Sequence, residues 1–174
     1  DVDKLFGYGY QLTPKKALSQ PGQFACEECL DVIGPKGELK RVRILGPERS
    51  ATQIELAQTD CRTIGVNAPV RSSGDTKGTP GVTLRGPLGE LTVPEGVIVA
   101  DRHLHMTPAQ AAAFGLADGD RVQIRIDGIK PGIMGGVLVR ANSKCALDFH
   151  IDTDDGNAFL LRQGQLVTVL GKEE

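Results

Sequence analysis

Aromatic and histidine side chains are scarce in this chain of 174 residues, which has no tryptophan, five phenylalanines, two tyrosines and three histidines. It also lacks any apolar run that approaches the length of roughly 20 residues that a membrane helix needs, and its first residues do not form a secretory leader. With 20 basic and 22 acidic residues, it has no charge excess that would attract nucleic acid or a membrane surface. A soluble, folded intracellular protein is therefore expected.

The four cysteines do not form a framework. Cys26 and Cys29 have the spacing of half a zinc knuckle, but a closed site needs a second ligand pair and no second Cys-x-x-Cys exists. Cys61 and Cys145 stand alone. The pattern favours reduced thiols in a cytosolic setting.

Glycine and proline are abundant, and they separate short apolar runs, several of which alternate with polar residues. Alternation with a period of two is typical of strands, and the glycines and prolines between the runs are typical of turns. The chain is therefore predicted to be mainly β, with a few short capping helices. The strand-like runs are residues 41–45, 96–100, 121–126, 136–140 and 165–170.

One short motif recurs, as GPKGEL at residues 34–39 and as GPLGEL at residues 86–91. Such a turn can recur simply as a hairpin device. Duplication is the alternative, and it predicts two similar β barrels. We place the first barrel at residues 1–70, lacking its N-terminal segment, and the second at 71–174, with C-terminal strands that could pack back on the first.

A helix is predicted after Thr107, which can cap it, with Pro108 at the first position and Gln110 completing a capping box. Its apolar stripe would run through Ala111, Ala112 and Phe114, and Gly115 would end it. The unit resembles the helix-turn-strand segment of double-psi β barrels, which bears on fold and not on function.

All three histidines lie in two short segments. Alternation on a strand puts His103 and His105 on one face, and His150 is flanked by acidic residues. Together they could form a three-histidine zinc site with an open position, and the isolated Glu55 could be a further metal ligand. The alternative is that these residues are ordinary polar surface positions.

Cations cluster on and after one predicted strand, where Arg41 and Arg43 share a face and Arg49 follows. They indicate either a phosphorylated ligand, which guanidinium groups bind bidentately, or a solvated strand edge. The glycine-rich loop at residues 72–81 is not a Walker loop, because no Gly-Lys-Ser/Thr ending follows. It is either a flexible connection or an anion site to which Ser73 contributes.

Taken together, six segments resemble the PduL-type phosphate propanoyltransferases, the phosphotransacylases of bacterial microcompartments. The resemblance extends along nearly the whole chain, and the combination is more specific than any one motif. The segments are residues 18–25 (LSQPGQFA), 45–49 (LGPER), 52–55 (TQIE), 68–75 (APVRSSGD), 102–106 (RHLHM) and 150–154 (HIDTD).

The resemblance implies two β barrels and two zinc ions in a complete site. His103, His105 and His150 match the ligands of one zinc. Glu55 matches one ligand of the other, whose remaining ligands are an Arg-His-x-His pair expected just upstream of residue 1. That pair is absent from these 174 residues, and a microcompartment-targeting peptide would be absent with it.

It also implies reversible transfer of a short acyl group, propanoyl or acetyl, between coenzyme A and phosphate. Arg49 and Ser73 are the catalytic candidates, and Lys16, Arg43 and Asn157 are the candidates for binding coenzyme A. A homo-oligomer in the microcompartment lumen is expected, contacting the shell or other enzymes through the targeting peptide. Two alternatives remain, a non-enzymatic metal- or cofactor-binding barrel and a zinc-dependent hydrolase.

Overall fold

A computed structural model describes residues 1–173. Within them the chain forms thirteen strands and four short helices, which confirms the prediction of a mainly β protein. The chain divides into two compact units, the first comprising Asp1–Leu18 and Gly22–Ala100. The second comprises Ser19–Pro21 and the chain from Asp101 onward. None of the described helices is long and apolar enough to cross a membrane.

The first unit contains a five-stranded antiparallel sheet and a three-stranded parallel sheet. In the larger sheet the order is β1-β2-β6-β7 with β3 also paired to β2, and in the smaller it is β4-β8-β5. The elements are α1 Val2–Phe6, β1 Pro14–Ala17, β2 Phe24–Ile33, β3 Glu38–Gly46, β4 Ile54–Glu55, α2 Gln58–Ile64, β5 Val70–Arg71, β6 Val82–Gly86, β7 Gly89–Val93 and β8 Val97–Ala100.

The repeated motif forms two hairpin turns of the same sheet, between β2 and β3 and between β6 and β7. The first glycine of each copy packs against a helix backbone. A Cβ at Gly34 would lie 2.4 Å from the Ile64 carbonyl oxygen, and one at Gly86 would lie 2.6 Å from that of Leu5. Glycine is therefore required by this close approach. The repeat marks two hairpins in one unit.

The second unit is built on one five-stranded sheet in the order β12-β9-β11-β10-β13. The pairing of β9 with β11 is parallel, and the other pairings are antiparallel. The elements are β9 His103–Met106, α3 Pro108–Ala113, β10 Arg121–Ile126, β11 Gly132–Ala141, β12 Asp148–His150, α4 Thr153–Phe159 and β13 Thr168–Lys172.

Each unit has its own apolar core. In β10 the predicted alternation is confirmed, since Val122, Ile124 and Ile126 are buried and the residues between them are exposed. The central strands of the second unit contribute most of its core. Its buried members are Leu104, Met106, Ala111, Leu116, Val122, Ile124, Ile126, Met134, Val137 and Val139.

The capping box of α3 is confirmed, because the Thr107 side chain accepts from the Gln110 N–H and the Gln110 side chain accepts from the Thr107 N–H. The apolar stripe of that helix is shorter than predicted. Ala111 is buried, whereas Ala112 and Phe114 are exposed. A helix of only six residues presents little more than one turn to the core.

The expectation of two similar barrels is not confirmed, because none of the three sheets formed by residues 1–173 closes on itself. The main boundary between the two compact units lies between Ala100 and Asp101, whereas the sequence predicted a domain boundary near residue 70. That earlier boundary stays a prediction about which parts fold independently.

Candidate metal centre and anion site

The three histidines lie on one face of the sheet in the second unit. On β9, Leu104 points into the core, so His103 and His105 project from the opposite face. Strand β12 pairs with β9 in a register that sets His150 opposite His103. Directly opposed side chains in an antiparallel pair have Cβ atoms about 5 Å apart. The register therefore brings the third imidazole to the first two.

The imidazoles form a compact triangle. Ring centroids are 4.6 Å apart for His103 and His105, 4.7 Å for His105 and His150, and 5.1 Å for His103 and His150. One ligand nitrogen from each ring lies within 4.8 Å of the others. Within residues 1–173, the potential metal ligands whose donor atoms converge are these three histidines.

His103 has its ring orientation fixed by the backbone. Its Nδ1 lies 2.7 Å from the carbonyl oxygen of Asp101, which can only accept, so Nδ1 carries the proton. Nε2 then holds a lone pair and lies 3.1 Å from Nε2 of His105. Two histidine nitrogens on one tetrahedral zinc would be about 3.3 Å apart, given zinc–nitrogen bonds of about 2.0 Å. The observed separation suits a shared ion.

His105 is the most buried of the three, with 9% of its surface exposed. Burial, and after it the neighbouring His103 and His150, together lower its pKa from 6.5 to about 4. The imidazole is therefore neutral at pH 7, which is the form that binds metals. Its Nδ1 lies 3.2 Å from the Cys145 thiol.

His150 is held at Nε2 by two oxygen atoms. The Asp148 carboxylate lies 3.0 Å away and the Ser19 hydroxyl 3.1 Å away. A carboxylate on one ring nitrogen is the usual partner of a metal-binding histidine. The donor set of three imidazoles, each with a polar partner at one ring nitrogen, therefore fits a divalent ion such as zinc.

A separate polar network lies in the first unit. Arg49 Nη1 donates to the Ser73 hydroxyl at 3.0 Å, which brings together two residues singled out from the sequence. Gln53 joins them, because its Nε2 donates to Ser73 Oγ at 2.9 Å and to Glu55 Oε1 at 2.5 Å. Its Oε1 accepts from the Gly74 N–H at 2.6 Å. Arg49 and Glu55 are exposed, so the network faces solvent in this unit.

A family model described as phosphate propanoyltransferase matches residues 1–162. The phosphate propanoyltransferase of Thermotoga maritima is 47% identical over 171 residues, which cover 98% of this chain and 81% of that protein. That of Enterococcus faecalis is 50% identical over 164 residues, covering 94% and 78%. That of Salmonella typhimurium is 48% identical over 159 residues, covering 91% and 75%.

The chain belongs to the phosphate propanoyltransferase family. The enzyme is therefore an acyltransferase, as the sequence resemblance implied. The residues assigned to coenzyme A lie in both units of this acyltransferase. Lys16 is exposed on β1, Asn157 is exposed on α4, and Arg43 lies on β3. Arg43 Nη1 already donates to the backbone oxygens of Cys26, at 2.5 Å, and Glu27, at 3.3 Å.

Four residues of these clusters were not identified from the sequence. Asp148 lies two positions before His150 on β12, so the period of two could have found it on the same strand face. Gln53 lies just before β4, within the family-like segment at residues 52–55. Ser19 lies within one of the family-like segments. Cys145 had no local signal, because it lies in a loop and reaches His105 only through the fold.

Proposed function

We propose that this acyltransferase moves a propanoyl group reversibly between coenzyme A and inorganic phosphate. A phosphate oxygen forms the new bond to the thioester carbonyl carbon, and the carbon–sulfur bond breaks. The proton of hydrogen phosphate ends on the departing thiolate, giving propanoyl phosphate and coenzyme A. Family membership supports the propanoyl group and the phosphate, and coenzyme A as the carrier is the further step of this proposal.

The convergence of His103, His105 and His150 is the observation that carries the proposed site. These three residues would hold a zinc ion, leaving a coordination position open. When bound, zinc supplies Lewis-acid stabilisation of negative charge that develops on a reacting oxygen or sulfur. The chain contributes the neutral His105 and the fixed ring of His103, so little rearrangement is needed to bind the ion.

Arg49 and Ser73 would bind the phosphate. The guanidinium of Arg49 remains charged and can grip two phosphate oxygens at once. Ser73 Oγ accepts from both Arg49 and Gln53, so its own O–H is free to donate to an anion. Two groups that donate to the same oxyanion orient it for attack, which lowers the entropic cost of the reaction.

Lys16, Arg43 and Asn157 would bind coenzyme A, the cations at its phosphates and the amide at its pantetheine arm. Arg43 would use the N–H groups that are not engaged with the Cys26 and Glu27 carbonyls. We further propose that Glu55 is a ligand of a second zinc, as the family resemblance implies. Comparing the zinc content of wild type with that of Glu55→Gln tests this assignment.

The bacterial microcompartment lumen as the location and a homo-oligomer as the state in solution are also proposals. They rest on the resemblance described from the sequence. Cell fractionation with shell proteins as markers tests the location. Analytical ultracentrifugation of the purified protein tests the assembly state.

Coenzyme A release from propanoyl-CoA, measured with and without phosphate, tests the function. Phosphate-dependent release with formation of propanoyl phosphate is expected, and hydroxylamine would trap that product as the hydroxamate. Release that does not depend on phosphate would instead indicate a zinc-dependent hydrolase. Absence of release from a zinc-loaded, folded protein would indicate a binding module.

A further inference from the structure

The thiol of Cys145 lies against the ring nitrogen of His105 that faces away from the other histidines. Sγ is 3.2 Å from Nδ1, whereas the opposite nitrogen, Nε2, is 3.1 Å from Nε2 of His103. Cys145 is thus at the outer edge of the imidazole. Its sulfur does not belong to the group of converging ligand atoms, which comprises the three imidazoles.

The backbone around Cys145 is held on both sides. Before it, the Asn142 N–H donates to the Met106 carbonyl at 3.1 Å, and the Cys145 N–H donates to the Asn142 carbonyl at 3.1 Å. After it, the buried Gln20 side chain donates to the Ala146 carbonyl and accepts from its N–H, both at 3.1 Å. The thiol is therefore positioned by an ordered loop.

Two proton arrangements satisfy the contact between Cys145 and His105. If the S–H donates to Nδ1, the imidazole proton of His105 sits on its Nε2 and points at the lone pair on Nε2 of His103. The two nitrogens then cannot both bind one metal ion. If Nδ1–H donates to the sulfur, both Nε2 lone pairs are available to one ion. The partner on one ring nitrogen therefore decides whether the other can bind.

We propose that Cys145 is a positioning residue that accepts a hydrogen bond from Nδ1–H of His105 and thereby selects the metal-binding tautomer. This inference rests on the zinc site proposed above. It gives the thiol the same task at His105 that the Asp101 carbonyl has at His103. All three imidazoles then have one nitrogen held by a polar group, since Asp148 and Ser19 contact His150.

The test compares zinc affinity by chelator competition in wild type, Cys145→Val and Cys145→Ser. Valine has a similar volume and no acceptor, and loss of such an outer partner typically weakens metal binding about 10–100-fold. Serine keeps an acceptor, so its affinity should be closer to wild type. Cys29→Ala, which removes a thiol from the first unit, should bind zinc as wild type does.

Equal zinc affinity in the valine and serine variants would overturn the inference, because it would show that the acceptor has no role. The spectrum of the cobalt-substituted protein provides a second readout. Wild type should show no sulfur-to-cobalt charge-transfer band, and its ligand-field bands should change in Cys145→Val. A charge-transfer band lost in Cys145→Val would instead make Cys145 a ligand and overturn the positioning role.

His105→Ala separates this inference from the proposed site. If wild type and His105→Ala bind zinc equally weakly, the metal site itself fails and the inference fails with it. If wild type binds tightly and His105→Ala does not, the comparison at Cys145 decides the inference alone. Urea unfolding in the presence of a chelator checks that the variants are folded before metal is added.

Discussion

His150 on β12 lies directly opposite His103 on β9 in an antiparallel pair. In the same register, Asp148 lies opposite His105. Because side chains alternate between the faces of a sheet, a shift of one residue would turn His150 and Asp148 away from the other two imidazoles. The candidate metal centre therefore depends on this register as much as on the histidines themselves.

Replacing His150 tests the contribution of β12 to the metal centre. His150→Ala should lower zinc affinity by more than the roughly 10–100-fold expected for an outer partner, because it removes one of three ligands. Competition with a chromogenic chelator measures this. The exposed Lys144→Ala, on the preceding loop, is the control and should bind as wild type does. An unchanged affinity in His150→Ala would exclude it as a ligand.

Arg49→Lys keeps the charge and loses the planar fork, so it should raise the KM for phosphate about tenfold or more while changing the KM for propanoyl-CoA little. Steady-state kinetics with each substrate varied in turn would measure the difference. Arg62→Lys, at an exposed position of α2, is the matched control. Equal effects on both substrates would argue against a specific role in phosphate binding.

Gln53 joins Ser73, Glu55 and Gly74 through three hydrogen bonds. Gln53→Ala should lower the free energy of unfolding by about 1–2 kcal/mol, since partly exposed hydrogen bonds each contribute modestly. It should also raise the KM for phosphate, because Ser73 loses one of its two donors. Urea denaturation and kinetics measure the two effects. Gln58→Ala, on the first turn of α2, should change neither.

The pH dependence of stability should report on His105 in the zinc-free protein. Its pKa is lowered to about 4 in the folded state, so between about pH 6.5 and 4 the unfolded state binds the proton first. The stability that the neutral ring provides is complete above pH 6.5 and is lost as the pH falls toward 4. The loss is at most about 3 kcal/mol.

Urea unfolding with a chelator present, at several pH values, measures this loss. His105→Gln removes the titrating group and should show a shallower decline over the same range. Identical pH profiles for the two proteins would mean that His105 titrates normally in the folded state.

Arg41 adopts a left-handed backbone conformation inside β3, with φ of 58°, and its N–H donates to the Asp31 carboxylate. Glycine adopts this conformation without strain, so Arg41→Gly should leave stability unchanged or raise it by up to about 1 kcal/mol. Lys40→Gly, next to it in the strand, should cost about 0.5–1 kcal/mol. Thermal unfolding of both variants compares them. Equal destabilisation would contradict the backbone argument.

Local sequence patterns gave correct predictions of structure where a single strand or a single turn determines the feature. The alternation in β10, the capping box at Thr107 and the shared face of His103 and His105 all follow from backbone periodicity or from short side-chain contacts. The repeated glycine-rich motif was harder to interpret. A hairpin turn and a duplicated domain leave the same trace in the sequence, and the structure shows both copies at hairpin turns of one sheet.

The sequence by itself determined the mainly β class, the family and the imidazoles available for a metal, because composition, period and motif are properties of neighbouring residues. Only the tertiary structure decided that His150 pairs opposite His103, that Cys145 reaches His105 and that Gln53 joins Ser73 to Glu55. These contacts join strands and loops far apart in the chain, except for Gln53 and Glu55. These contacts depend on which strands pair and on the hydrogen bonds that hold the loop, and the alternation within one strand does not specify its partner.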